Sequence, residues 1–146
     1  MVRPWFVLSF PALAAVLIGG CASRGVMDPP SPDGPRLTSL AARPPQGAVG
    51  CPLTLVFAFD AGDGEITRAL AAWSRTLGRR GSAGHTVLDV PADAFAGHPR
   101  GEAAARLMPK LPGRYVYSVQ VEDRAGRKSN VLETVVSVAG WWAPGC

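Results

Sequence analysis

The 146-residue chain is poor in the residues that usually carry out chemistry. It has two histidines, His85 and His98, and three cysteines, Cys21, Cys51 and Cys146. Both histidines stand in glycine- or proline-flanked sequence, GSAGHTV and AGHPRG, with the character of exposed loops. Neither belongs to a nucleophile motif, and Gly-x-Ser-x-Gly is absent. No spacing of cysteine and histidine matches a zinc site. Charged residues make up only 18% of the chain, with a net charge of +4. The one basic cluster, Arg75, Arg79 and Arg80, surrounds Gly78 and reads as a solvated loop. Without an extended basic stripe and interleaved aromatics there is no nucleic-acid footprint. The chain is therefore read as a non-enzyme that does not bind nucleic acid. The longest apolar stretch, residues 5–18, is broken by Ser9 and Pro11 and is shorter than the roughly 20 residues a spanning helix needs.

That short apolar stretch has a context of its own. The chain opens MVRPWFVLSFPALAAVLIGGC, with a positive charge at Arg3, an apolar run, and the small residues Gly19 and Gly20. This is the layout of an export signal. The string Ile18-Gly19-Gly20-Cys21 resembles the lipobox of bacterial lipoproteins. The resemblance implies diacylglycerol on the Cys21 sulfur, cleavage before Cys21, and acylation of the new amino terminus, with no other cofactor. Several acyl chains hold a protein on a bilayer where one alone binds marginally. Ala22, in place of an aspartate, is compatible with an outer-membrane address facing the periplasm. An exported chain meets an oxidising compartment, so the remaining pair, Cys51 and Cys146, is expected to be bonded.

Composition divides the chain into four parts: a signal at 1–20, a lipidated cysteine and tether at 21–35, a folded domain at 36–140, and a tryptophan-rich tail at 141–146. The stretch ASRGVMDPPSPDGPR has four prolines, two glycines and almost no large apolar residue. It is expected to be a flexible, partly polyproline II tether reaching roughly 45 Å at about 3.1 Å per residue. In the domain, residues 37–42 read as a first strand stopped by Pro44-Pro45. Residues 52–60 alternate cleanly, with Leu53, Leu55, Phe57 and Phe59 on one face. Residues 114–122 do the same with Tyr115, Tyr117, Val119 and Val121, and residues 130–138 follow as a β-branched partner. Residues 86–90 read as a short edge strand. Two segments are ambiguous. Ile66, Leu70, Trp73 and Leu77 recur at helical spacing, so residues 66–77 read locally as a helix ending before Gly78. Residues 102–108, with three alanines, also lean toward helix.

The order of features resembles bacterial immunoglobulin-like domains over residues 36–139. FAFDAGDGEITRALAAW is similar to their second strand, acidic turn and third strand with its tryptophan. LPGRYVYSVQVEDRAGRKSN is similar to the penultimate strand and the turn that leaves it. The resemblance implies an all-β sandwich of about seven strands, its core built on Phe57, Phe59, Trp73, Tyr115 and Tyr117. An α+β sheet carrying one or two helices is the alternative. In the sandwich, Cys51 and Cys146 lie at one end, and a bridge between them would close most of the domain as one loop. The tether would sit at the other end. There Asp60, Asp63, Glu65, Glu122 and Asp123 come from two neighbouring turns and are candidate calcium ligands, although acids also favour turns for backbone reasons. Trp141 and Trp142 are candidates for stacking on a sugar or plugging the sandwich end. The expected role is a lipid-anchored, non-catalytic binding or structural module of the cell envelope. Its partners would be the membrane, through the anchor, and another envelope protein or a polysaccharide. The alternative is an accessory lipoprotein subunit of a secretion, pilus or transport assembly.

Overall fold

Along Leu53–Asp60 every second side chain is buried, and this strand is the spine of the smaller of two sheets. A computed structural model of the protein describes residues 27–140 and 146. Eight strands follow in order: β1 (Arg36–Arg43), β2 (Gln46–Ala48), β3 (Leu53–Asp60), β4 (Ile66–Leu77), β5 (Arg80–Leu88), β6 (Arg100–Leu107), β7 (Gly113–Asp123) and β8 (Leu132–Ala139). A 3-10 turn at Ala92–Ala94 lies between β5 and β6. One sheet has the order β1-β3-β6, the other β2-β8-β7-β4-β5. All pairings are antiparallel except the short β2–β8 pair. The fold is an immunoglobulin-like β-sandwich, with eight strands where about seven are expected. The extra one arises because the first strand, interrupted at Pro44-Pro45, resumes as β2 on the opposite sheet.

Residues 66–77 are β4, not a helix, and residues 102–108 fall largely in β6. The α+β alternative is thereby excluded for the described residues. Helical spacing misleads in β4 because a register shift between Ile66 and Arg68 breaks its alternation. Beyond the shift, the inward positions are Ala69, Ala71 and the half-buried Trp73, while Leu70 is half-buried and Leu77 is 50% exposed. In β6 the inward Ala103 and Ala105 stand beside Phe57 and Leu55 of β3. Gly101 stands beside Phe59, whose ring is 3.1 Å from where a Cβ would be. Large residues on one strand thus require small ones on the next, and this packing outweighs alanine's helix propensity. The edge strand read at 86–90 begins earlier, at Arg80, and ends at Leu88.

The core comprises Leu55, Phe57, Val119, Val121 and Val136, all fully buried, with Phe59, Tyr115 and Tyr117 around them. Trp73 is only partly buried and packs against this cluster rather than at its centre. Phe95, in the loop after the 3-10 turn, completes the core with an edge-on contact to Phe59 at 5.3 Å between ring centroids.

The expected tether is partly docked. The Ser31 amide donates to the Lys128 carbonyl, and the Lys128 amide donates to Ser31 Oγ. Gln120 Nε2 donates to the Asp28 carbonyl, Lys128 pairs with the Asp28 carboxylate, and Pro35 is fully buried. A Cβ on Gly34 would meet the Lys128 carbonyl oxygen at 2.5 Å, so this stretch of chain lies flush on the domain. Six residue steps separate Cys21 from Met27, a reach of at most about 20 Å.

Candidate functional site

The turn after β3 and the turn after β7 share one end of the sandwich, as the resemblance implies. Four of the five acids found there are paired with separate arginines instead of facing a common centre. Asp60 accepts from the Gly62 amide at 3.0 Å and from Arg100 Nε at 2.8 Å. The Gly62 amide, then Arg100, hold its carboxyl below the usual aspartate range. Glu122 receives Arg68 Nη2 on both oxygens, at 2.7 and 2.8 Å. Glu65 pairs with Arg124 at 2.9 Å, and Asp63 is exposed. Among the described residues no three His, Cys, Asp or Glu side chains stand together as a metal site.

Asp123 is the most constrained of the five, its side chain only 1% exposed. Its Oδ1 accepts from the Ala125 and Arg127 amides at 3.0 and 2.8 Å, and its Oδ2 accepts from Arg127 Nε at 2.7 Å. Burial pushes this carboxyl up, but the Arg127 side chain and the backbone donors outweigh it, and the net shift is downward. The loop turns at Gly126, whose φ of 78° suits glycine. The neighbouring turn approaches closely: a Cβ on Gly64 would meet Asp123 Oδ2 at 2.6 Å. Behind this loop, Ser129 Oγ accepts from the Val121 amide, and Gln120 donates to the Ser129 carbonyl. Asn130 fastens β1 by accepting from the Leu37 amide at 2.8 Å and donating to its carbonyl at 3.1 Å. Sequence reasoning found the turn but not these partners, although the run RAGRKSN supplies nearly all of them. The end is a structural clasp.

At the opposite end Cys51 and Cys146 are bonded, with Cα atoms 5.3 Å apart. Tyr115 donates its hydroxyl to the Leu111 carbonyl at 2.8 Å, the arrangement known in these sandwiches as a tyrosine corner. Burial raises the Tyr115 hydroxyl pKa, and burial followed by the neighbouring Tyr115 pushes that of Tyr117 up to about 12. A Cβ on Gly113, whose φ is 141°, would meet the Thr76 carbonyl oxygen at 2.6 Å.

The remaining candidate is the outer face of the five-stranded sheet. An open trough of about 800 Å³ crosses it. Its floor is made of small side chains in register: Ser74 beside Val116, and Ala72 beside Ser118. Ser118 donates to Glu133 at 2.9 Å on one flank, and Arg114 and Arg75 contribute to the other. Arg75 is itself held by Ser82 Oγ and the Pro112 carbonyl. The trough offers hydroxyls, one carboxylate and short apolar patches to an extended polar ligand, with no assembled acid–base pair. His85 lies beside it in the exposed strand β5, and His98 lies in an exposed loop. Cys21, Trp141 and Trp142 lie outside the described residues.

No protein-family model matches the chain, and no curated protein matches it in sequence. Several solved structures resemble it in shape at low identity. The alkylpurine DNA glycosylase AlkC of Pseudomonas fluorescens, bound to DNA containing an abasic site analog, is 16% identical, with a TM-score of 0.47 over 72% of this chain and 30% of that one. A Niemann-Pick type C2 protein from Japanese carpenter ant is 7% identical, with a TM-score of 0.47 over 72% of this chain and 92% of that one. The PKD domain of an M14-like peptidase from Thermoplasmatales archaeon SCGC AB-540-F20 is 14% identical, with a TM-score of 0.39 over 73% and 93%. The chain spans less than a third of the AlkC chain's length.

Proposed function

We propose that the protein is a lipid-anchored component of the bacterial cell envelope whose sandwich serves as a non-catalytic binding module. The observation that carries this reading is the string Ile18-Gly19-Gly20-Cys21 closing a short apolar run behind a basic start. The domain architecture is consistent with it. A disulfide-closed sandwich suits an oxidising compartment. The trough on the large sheet suits an extended ligand, either a segment of another envelope protein or a polysaccharide. With six residue steps between Cys21 and Met27, the domain would ride within about 20 Å of the bilayer, close enough for partners in the same membrane.

The test is the mass and partitioning of the full chain made in a bacterial host. The wild type is expected in the detergent phase, beginning at Cys21 and carrying the mass of its acyl chains. Cys21→Ser is expected to accumulate as an unprocessed precursor without lipid. Recovery of the wild type with Met1 retained, or with a bare Cys21 thiol, would overturn the reading.

A further inference from the structure

Of the four strands that end a sheet, three carry devices that discourage pairing with another chain. β2 is only three residues long. β1 has a register shift between Leu37 and Ser39. β6 alternates charge along its edge, with Arg100, Glu102 and Arg106. Short length, bulges and charge are how sheets protect their edges. β5 has only a single charge, Arg80, at its first residue. It is nine residues long, about 30 Å, and pairs with β4 from Arg80 to Leu88 without a shift. From Gly81 to Val87 it carries no Asp, Glu, Lys, Arg or Pro. Its far side bonds to no strand among the described residues, and Val87 is 62% exposed.

We infer that β5 is a self-pairing edge, and that its occupant is β5 of a second copy of this chain, antiparallel about a two-fold axis at Gly84. The argument for this occupant is charge. Rotation about Gly84 sets Ala83 opposite His85, Ser82 opposite Thr86 and Gly81 opposite Val87, all small or medium side chains. Beyond Arg80 and Leu88, which the rotation also sets opposite each other, it brings Arg79, in the turn at Gly78-Arg79, near Asp89, twice, because the pairing is symmetric. Arg79 and Asp89 are both exposed, and neither forms an ion pair among the described residues. Opposite charges facing across strands favour that register, and a shift by one pair loses both contacts. Gly84 suits the axis for a second reason. The Trp73 indole reaches out over it, within 2.8 Å of where a Cβ would be, and so lies along the seam. The result is a continuous ten-stranded sheet built from two five-stranded ones. Met27 and Asp28 lie beside His85 and Val87 on the outer face, so both copies present their amino-terminal segments on the same side of the joined sheet. Two anchors would then enter one bilayer; only this last consequence rests on the lipoprotein reading.

The experiment is sedimentation of the full chain, extracted in mild detergent, as wild type, Arg79→Asp, Asp89→Arg and the double swap. Hydrogen exchange of residues 80–88 is followed in parallel, and circular dichroism confirms folding of each variant. The wild type is expected to dimerise. Each single variant, which turns two attractions into two repulsions, is expected to weaken the dimer by about five- to tenfold. The double swap is expected to restore it, and the β5 amides that face away from β4 are expected to be protected in the dimer only. A single-chain mass at every concentration reached would overturn the inference. So would a dimer indifferent to the single variants, or one not restored by the swap.

Discussion

At one end of the sandwich, where β3 and β7 begin and β8 stops, closure is covalent and aromatic. Cys51 is bonded to Cys146, and Tyr115 is tied to the Leu111 carbonyl. At the other end, where β7 stops and the amino-terminal segment docks, closure is ionic. Asp123 holds its own loop through three donors, Gln120 and Ser129 bridge to it, and Asn130 fastens β1. The first end depends on no group that titrates in acid or at neutral pH but is open to reduction. The second is indifferent to redox state but depends on one buried carboxylate staying charged. A sandwich has two open ends to seal, and here each is sealed by a chemistry that fails under a different condition.

Removing the bridge is the largest perturbation of this contrast. The two cysteines are 95 residues apart, so the bridge constrains nearly the whole domain in the unfolded state. In the chain-entropy view a loop of that size is worth up to about 4–5 kcal/mol. The variant Cys51→Ser with Cys146→Ser is expected to lose most of that in denaturant unfolding. A loss below about 1 kcal/mol would mean that the other end carries the stability. The second perturbation is Asp123→Ala, which strands two backbone donors and a partly buried guanidinium at a cost of about 3 kcal/mol. The same carboxylate sets the acid limit. Its folded pKa lies below the ordinary value near 4, so the unfolded chain takes up the proton first. Its contribution is therefore whole above about pH 4 and is lost as the pH falls through the depressed folded value. Asp123→Asn should flatten the acid side of the stability curve and leave the neutral side parallel to wild type. An unchanged acid slope would remove Asp123 as the controlling group.

The same division marks what the sequence makes legible. β3 and β7 are readable because their apolar residues alternate without interruption and are large. β4 and β6 are not: in β6 the inward alanines and a glycine stand beside the large residues of β3, a relation no local window contains, and in β4 small inward alanines and a register shift hide the alternation. β2 has three residues and a parallel partner 91 positions away, so its sequence carries no signal. The acidic turns are legible as turns. That their acids would face arginines rather than a cation is not, because Arg68 and Arg100 arrive from other strands. The prolines of the amino-terminal segment argue for a tether, yet Ser31 and Gly34 lie against Lys128, nearly a hundred positions later, and Pro35 is fully buried. The disulfide is legible because setting Cys21 aside, as the lipobox resemblance implies, leaves one pair of cysteines.

The smallest perturbation asks whether the covalent end is one unit or two. The Gly50 amide donates to the Pro109 carbonyl, and Tyr115 reaches the Leu111 carbonyl, so the loop from Pro109 to Pro112 lies between the bridge and the tyrosine. Arg75 holds the same loop at the Pro112 carbonyl. Tyr115→Phe removes one hydrogen bond and is expected to cost about 1 kcal/mol in the bridged protein. If the bridge and the corner brace the same loop, the cost changes when the bridge is absent, because each then does part of the other's work. The expected interaction energy in the four-variant cycle is about 0.5 kcal/mol or more. Asp123→Asn, at the far end and sharing no partner with Cys51, should instead add to bridge removal within about 0.5 kcal/mol. Additivity at both ends would mean that the corner and the bridge close the sandwich independently. Coupling at both would mean that the two ends communicate through the core and that their separation in space is not a separation in energy.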